Sequence, residues 1–295
     1  MRSLVALIRR EFLEHRGAFF YAPLVLSALF VFGTMMPFVS GRFHTFVGMR
    51  GGGTGVHFYQ VAYMAAIGAW WIYLLVALFF YFADAFAADK RNNSMLFWKS
   101  MPVTDLKLLA SKMAAGLTIF PALIFIAMLF AGIWVYVVAL MSTTVLPGFV
   151  VPGFAPVLGA YVQMSLSALV FLVLALLWIA PFFAWVGALS TAVGRWSIPL
   201  AFLIPGLLII LENGAFRMAG APDGGYIANY LRHRADIAFA KQTVQDFVLA
   251  GQPSNAVAFT ADLISRIDWT QMAAGWAFAV VLVVLASEWR RRSID

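Results

Sequence analysis

The stretch that decides the fold is DAFAADKRNNSMLFWKSMPVTDLKLLASK, residues 84–112, a long polar interruption between the early apolar segments. Apolar runs long enough to cross a bilayer lie on both sides of it. It carries five of the chain's basic residues, which are Lys90, Arg91, Lys99, Lys107 and Lys112. The sequence therefore predicts a loop outside the membrane that separates two transmembrane helices.

The composition predicts a polytopic membrane protein. Of the 295 residues, 63% are hydrophobic and 11% are charged, whereas a soluble domain is about half apolar and about a quarter charged. The net charge of +7 is scattered over loop ends and does not form a basic stripe with interleaved aromatics, so nucleic-acid binding is not expected. The chain has no cysteine, which excludes disulfides and thiolate metal sites.

The apolar segments predict an all-α fold with six transmembrane helices, since a helix needs about 20 residues to span a bilayer. The fifth segment is short and contains Pro199 and Pro205, so it spans only if it is extended or supported by neighbouring helices. The expected spans are residues 18–39, 59–83, 114–140, 158–189, 198–211 and 272–287.

Residues 1–17 are expected to form an interfacial helix before the first span. Its apolar residues recur at helical spacing on one side, and most of its charges lie elsewhere. The basic residues would favour an anionic inner leaflet. Two roles remain open for this helix, either as an anchor for the first span or as an element that transmits force.

Residues 212–271 form the longest polar region and are expected to fold into two amphipathic helices between the fifth and sixth spans. Ser254 or Asn255 is expected to cap the second of these helices. Each helix has an i,i+4 pair of opposite charges, Arg232 with Asp236 and Asp262 with Arg266.

The distribution of basic residues sets the expected orientation. With the N-terminus in the cytoplasm, thirteen Lys and Arg residues fall on the inner side, and the two short outer loops hold only Arg42 and Arg50. The positive-inside rule then places both termini and the loop 84–112 in the cytoplasm, and the region 212–271 outside. The expected location is the cell (inner) membrane.

Motifs of membrane enzymes are absent from the sequence, which has no His-Glu-x-x-His, Gly-x-Ser-x-Gly or Walker loop. The glycine cluster at 51–55 lacks the Gly-Lys-Ser/Thr that a phosphate-binding loop requires, and a flexible turn is the better interpretation. We therefore expect no catalytic, metal or cofactor-binding residue in this chain, and no proton relay inside the spans.

A short helix is predicted from Asn93 or Ser94 to Lys99, and Pro102 stops it. Thr104 and Asp105 then begin a second helix that leads into the third span. The first helix presents four successive large apolar residues to the cytoplasm, Met95, Leu96, Phe97 and Trp98. Two interpretations remain open: these side chains lie in the inner headgroup layer, or they bind a groove on a soluble partner.

Residues 86–113, FAADKRNNSMLFWKSMPVTDLKLLASKM, resemble the membrane permease subunits of type-2 ABC exporters. In that family an acidic residue followed by basic ones ends the second span, and a short coupling helix and a Ser-x-Pro-Val-Ser/Thr-like segment lead to the third. By topology the resemblance covers nearly the whole chain. The corresponding positions here are Asp89, Lys90, Arg91, Trp98, Ser100, Pro102, Thr104 and Asp105.

The resemblance implies two permease subunits, identical or homologous, that enclose the substrate pathway among the membrane lipids. Separate cytoplasmic ATPase chains would bind ATP and magnesium, and ATP hydrolysis there would drive the movement of the permease subunits. The N-terminal helix of such subunits also contacts the ATPase, which adds Arg10 and Glu11 to the implied interface. Its other implied residues are Asp89, Lys90, Arg91, Met95, Leu96, Phe97, Trp98, Lys99, Pro102 and Asp105.

The uncharged spans favour an amphiphilic cargo, such as a lipid, a peptide or an antibiotic. The region 212–271 departs from the resemblance, because it is longer than the short re-entrant helices of such exporters. Two other functions remain open. An intramembrane enzyme would need convergent polar residues inside the spans, and His57, Asp84 and Glu212 are the residues to test for it. A non-transporting scaffold would tether a soluble partner through the same loop.

Overall fold

The structure is a computed structural model that describes residues 2–40, 55–91, 104–143, 153–218, 225–235 and 255–292. All regular elements in these ranges are helices, and a π-helical turn, Gly17–Tyr21, connects the first two. In chain order they are α1 (Arg2–Arg16), α2 (Ala22–Ser40), α3 (Gly55–Arg91), α4 (Asp105–Leu117), α5 (Ile119–Ser142), α6 (Phe154–Val193), α7 (Ser197–Met218), α8 (Tyr226–Ala235), α9 (Ala256–Arg266) and α10 (Trp269–Arg292).

Five stretches of the described residues are helical, long and apolar enough to cross a membrane. The fourth, Phe154–Met218, contains both α6 and α7, which a turn at Gly194–Trp196 separates. Gly194 has a φ of 59°, a left-handed conformation that glycine adopts without strain. The all-α prediction is confirmed for the described residues, and the coarser class of helical membrane protein fits these long apolar helices.

The long helix α6 lies at the centre of the bundle, where α3 and α10 pack along it. The buried residues of α3 recur every four positions, at Leu74, Leu78, Phe82 and Phe86, so one face of this helix forms the core. Phe82 stacks on Phe183 of α6 with the ring centroids 5.0 Å apart. This stacking fixes α3 against α6 near the end of α3 that leads into the loop.

The exposed surface of α7 is almost entirely apolar. Only Ser197 and Ala201, in its first turns, are buried, whereas Phe202, Ile210 and Leu211 are exposed. An apolar surface of this extent is unfavourable in water and is typical of contact with lipid or another subunit. The helix therefore suits an environment of hydrocarbon.

Two helices, α4 and α9, begin at the capping residues that the sequence predicts. Thr104 precedes α4, and its Oγ1 accepts a hydrogen bond from the Lys107 N–H at 3.3 Å. Asn255 precedes α9, and its Oδ1 accepts hydrogen bonds from two backbone N–H groups in the first turn of that helix. Both predicted caps are confirmed, because a cap depends on residues within a single turn.

The borders of the region 212–271 differ from the prediction. The helix α7 continues past 211 to Met218, and α10 begins at Trp269, before 272. Glu212 can lie within α7 because its carboxylate accepts the N–H of Ile227 at 3.0 Å, at the start of α8. The predicted pair of Asp262 with Arg266 is present at 2.7 Å, and residue 236, the partner predicted for Arg232, lies outside the described residues.

A close contact of three helices yields the first prediction. A Cβ at Gly132 of α5 would lie 2.6 Å from the ring of Tyr63 in α3 and 2.8 Å from that of Tyr161 in α6. We expect Gly132→Ala to lower the free energy of unfolding by about 1–3 kcal/mol, because the rings have to move apart. Unfolding by SDS in mixed micelles measures this change.

The matched control is Gly159→Ala in α6, where an added Cβ has no neighbour within 4 Å among the described residues. This variant should lose no stability, since alanine favours a helix over glycine. Equal losses of stability in the two variants would contradict the packing of α3, α5 and α6 described above.

Candidate functional site

Four charged side chains are buried together where α3 ends and α4 begins. They are Glu11 of α1, Asp89 of α3, Lys112 of α4 and Arg290 of α10, and each is at most 3% exposed. We call them the ionic cluster. Its two carboxylates and two cations balance, as they must, because a buried charge without a partner is strongly unfavourable.

Lys112 and Arg290 both contact Asp89. The Lys112 Nζ lies 2.9 Å from Glu11 Oε1 and 3.8 Å from Asp89 Oδ2. Arg290 Nη2 lies 3.0 Å from the same Asp89 oxygen, and Arg290 Nη1 donates to the backbone oxygen of Phe86 at 3.3 Å. The cluster therefore joins the first and last helices of the chain to α3 and α4.

A tyrosine connects the ionic cluster to the apolar core. The Tyr81 hydroxyl lies 3.1 Å from Glu11 Oε2 and 3.1 Å from the backbone oxygen of Lys112, so it can donate to either. Its ring packs edge-on against Phe120, which stacks on Phe19 with the centroids 3.9 Å apart. These three buried aromatic rings therefore link the charges to the apolar core.

Arg290 also forms an ion pair with Asp105, the first residue of α4, with 3.3 Å between Nε and Oδ1 but without the geometry of a hydrogen bond. Asp89 and Asp105 lie on either side of the segment 92–103, so one arginine holds both ends of that segment. At the edge of the cluster, Arg10 pairs with Glu14 at 2.6 Å and lies 3.8 Å from Asp89 Oδ1. The ends of the segment are therefore fixed to α10 and lie close to α1.

The structure brings together four of the residues expected at a partner interface, namely Arg10, Glu11, Asp89 and Asp105. Because Glu11 and Asp89 are buried, their direct contacts are within the chain, and they can act on a partner only through the helices they join. The other expected interface residues lie outside the described part of the chain, Lys90 and Arg91 by their side chains and Met95, Leu96, Phe97, Trp98, Lys99 and Pro102 entirely.

Sequence reasoning missed Lys112 and Arg290 as partners of these carboxylates. Helical phase was the signal that could have found Arg290. The buried positions Ala279, Val283 and Ala286 of α10 continue at the same spacing to Arg290. Arg291 lies outside that phase, and its side chain is 70% exposed. The consecutive arginines at 290 and 291 are therefore not equivalent, since the first is buried and the second is exposed.

Metal-ligating atoms also meet beside the ionic cluster. Glu11, Glu14 and His15 place one ligand atom each within 4.8 Å of one another. Both oxygens of Glu11 are already in contact with Lys112 and Tyr81. The cluster therefore satisfies this carboxylate without a metal ion, and the three residues are better described as part of the ion-pair network.

An apolar groove of about 1030 Å³ lies on the side of the bundle between α4, α5, α6 and α10. Its walls are aliphatic and aromatic side chains, among them Phe125, Leu172, Val173 and Trp276. Such a surface suits a hydrocarbon chain and offers little to a polar solute.

Comparison of the chain with protein-family models, curated proteins and solved structures finds no match to any of them. The class that the described residues define is an all-helical membrane-type bundle with a buried ionic cluster at one end.

The ionic cluster yields the second prediction. Arg290→Met should lower the free energy of unfolding by about 3–5 kcal/mol, because Asp89 would be left buried without its closest cation. Arg291→Met, the exposed neighbour on the same helix, should change it by about 0.5 kcal/mol or less. SDS unfolding in mixed micelles compares the two variants, and equal effects would contradict the burial of Arg290.

Proposed function

We propose that the chain is the permease subunit of an ATP-driven ABC exporter of the type-2 class. The subunit dimerises to form the substrate pathway and couples to a separate cytoplasmic ATPase, which binds ATP and magnesium. The resemblance of residues 86–113 to the coupling region of that family supports the choice of partner. The absence of a Walker loop from the sequence supports a separate ATPase chain.

The observation that carries this proposal is the contact of Arg290 with both Asp89 and Asp105. A partner that displaces the segment 92–103 would pull on its two ends. Because buried ion pairs are costly to break, the ends should move together with α10 and, through Lys112 and Glu11, with α1. Force applied to the segment thereby reaches the first and last helices of the bundle.

This arrangement favours a force-transmitting role for α1 over that of a simple anchor. Glu11 is buried against Lys112 and Tyr81, and Leu7 packs against Leu108 of α4. A helix that only anchored the first span to the lipid surface would need none of these contacts. We therefore include the interfacial helix in the coupling mechanism.

Six spans, with both termini in the cytoplasm, complete the proposed topology. Its support is the pairing of α6 with α7 across the turn at Gly194, where Trp185 Nε1 donates to the backbone oxygen of Ala201 at 3.3 Å. The helix α7 has 22 residues, which at about 1.5 Å per residue extend about 33 Å, close to the hydrocarbon thickness of a bilayer. With such a return span, the proposed topology has the region after Met218 on the outer side.

Trp98 provides the third prediction. Trp98→Ala should weaken association with the ATPase by about 2 kcal/mol or more, the scale of an interface hot spot, and leave membrane insertion intact. Trp196→Ala is the matched control, since Trp196 is exposed in the turn between α6 and α7, on the same predicted side. Pull-down of the ATPase with each tagged variant measures the difference.

An unchanged pull-down with Trp98→Ala would favour the headgroup-layer interpretation of this segment. Reconstitution with the ATPase in liposomes then separates the permease from a scaffold. A permease stimulates ATP hydrolysis and moves cargo, whereas a scaffold binds the ATPase without either effect. Failure of the ATPase both to bind and to respond would contradict the exporter proposal.

A further inference from the structure

Arg234 of α8 is a third buried cation, at the opposite end of the bundle from the ionic cluster. Its side chain is 1% exposed, and among the described residues neither Nη1 nor Nη2 has a hydrogen-bond partner. A guanidinium stays protonated in proteins, and a buried charge with unsatisfied donors is strongly unfavourable. An anion bound at this site would balance the charge and accept the unused hydrogen bonds.

The helices α6 and α10 enclose this guanidinium. Its Cζ lies 4.4 Å from the ring centroid of Trp178 in α6, and the Trp178 Nε1 donates to the backbone oxygen of Arg234 at 2.9 Å. On α10, a Cβ at Gly275 would lie only 1.6 Å from Nη2, so only glycine leaves room there. Stacking on a ring satisfies the face of a guanidinium and leaves its edge for a ligand.

A further unsatisfied polar atom lies on the same side of α10. The Oε1 of Gln271 is buried without a hydrogen-bond partner among the described residues, and Gln271 lies one helical turn from Gly275. An amide can present either its oxygen or its nitrogen, so Gln271 can accept from a ligand or donate to it. Arg234 and Gln271 thus bring unused hydrogen-bonding groups to one region.

The nearby acidic residue is already engaged. Asp268 accepts hydrogen bonds from the Thr270 hydroxyl at 2.6 Å and the Gln271 N–H at 3.0 Å, which hold the pKa of its carboxyl below the usual value. Burial lowers the pKa of Arg234, and Tyr230, which also forms a side-chain hydrogen bond with it, and Asp268 act in the opposite direction. The buried Nη1 and Nη2 atoms therefore still lack an acceptor among the described residues.

The position of the site suggests what kind of anion it binds. Gly275 lies fifteen residues from Arg290 on α10, which is about 22 Å along the helix, near the other end of the apolar stretch. The apolar groove ends close to this level, at Trp276 and Leu177, the sequence neighbours of Gly275 and Trp178. An amphiphile with its chain in the groove would bring its headgroup to the height of Arg234.

We propose that Arg234 binds the phosphate group of an amphiphile. The two Nη atoms match two phosphate oxygens in a bidentate contact, and the Gln271 amide adds a third hydrogen bond. This inference is independent of the ATPase, because it rests on α6, α8 and α10 at the end of the bundle away from the segment 92–103.

Native mass spectrometry of the full chain, purified in detergent, provides the fourth prediction. Arg234→Gln should weaken binding of phosphatidylglycerol about tenfold or more, because two charge-assisted hydrogen bonds are lost. Arg232→Gln is the matched control, an exposed arginine on the same helix, and it should bind as the unchanged chain does. Diacylglycerol, which has the chains without the phosphate, should bind equally to all three proteins.

Two further measurements keep the proposal falsifiable if Arg234→Gln folds poorly. Gln271→Leu should also weaken phosphatidylglycerol binding, and the lipid should raise the unfolding temperature of the unchanged chain more than that of Gln271→Leu. Inorganic phosphate at the same concentration should not displace the lipid, and displacement would assign the site to free phosphate. Equal lipid binding by Arg234→Gln and Arg232→Gln would overturn the proposal.

Discussion

Two carboxylates and two cations are buried together where α1, α3, α4 and α10 meet. Because a buried charge is unfavourable without a partner of opposite charge, these four side chains hold the four helices together at that end of the bundle. Asp89 contacts both Lys112 and Arg290, so its removal would take one anionic partner from each of two buried cations. Glu11 fixes the N-terminal helix in the same way. The helices α3 and α4, on either side of the segment 92–103, are thereby joined to α1 and α10.

The packing of the helices keeps this cluster buried. The ring of Phe82 lies between Gly116 of α4 and Phe183 of α6, and a Cβ at Gly116 would lie 2.4 Å from it. Glycine thus lets α4 approach α3 closely enough for Lys112 to reach Asp89. At the other end of the bundle, Gly275 lets the Arg234 side chain lie between α6 and α10. Small residues determine in both places where a buried cation fits.

Local features of this fold were predictable from the sequence, and contacts between distant residues were not. The caps at Thr104 and Asn255 and the pair of Asp262 with Arg266 involve residues at most four positions apart. By contrast, Glu11 and Lys112 are 101 positions apart and Asp89 and Arg290 are 201 apart. No local pattern encodes such pairs, and only the helical phase of α10 marks Arg290 as inward-facing. The expected importance of the segment around Trp98 still depends on its resemblance to coupling helices.

The central claim is that Arg290 holds both ends of the segment 92–103, and amide hydrogen exchange tests it most directly. Exchange followed by mass spectrometry on the purified full chain reports on residues 86–91 of α3 and 104–112 of α4 separately. If the claim is correct, Arg290→Met speeds exchange in both stretches, and Arg291→Met leaves both unchanged. Unchanged exchange in Arg290→Met, or a rise in only one of the two stretches, would contradict the account.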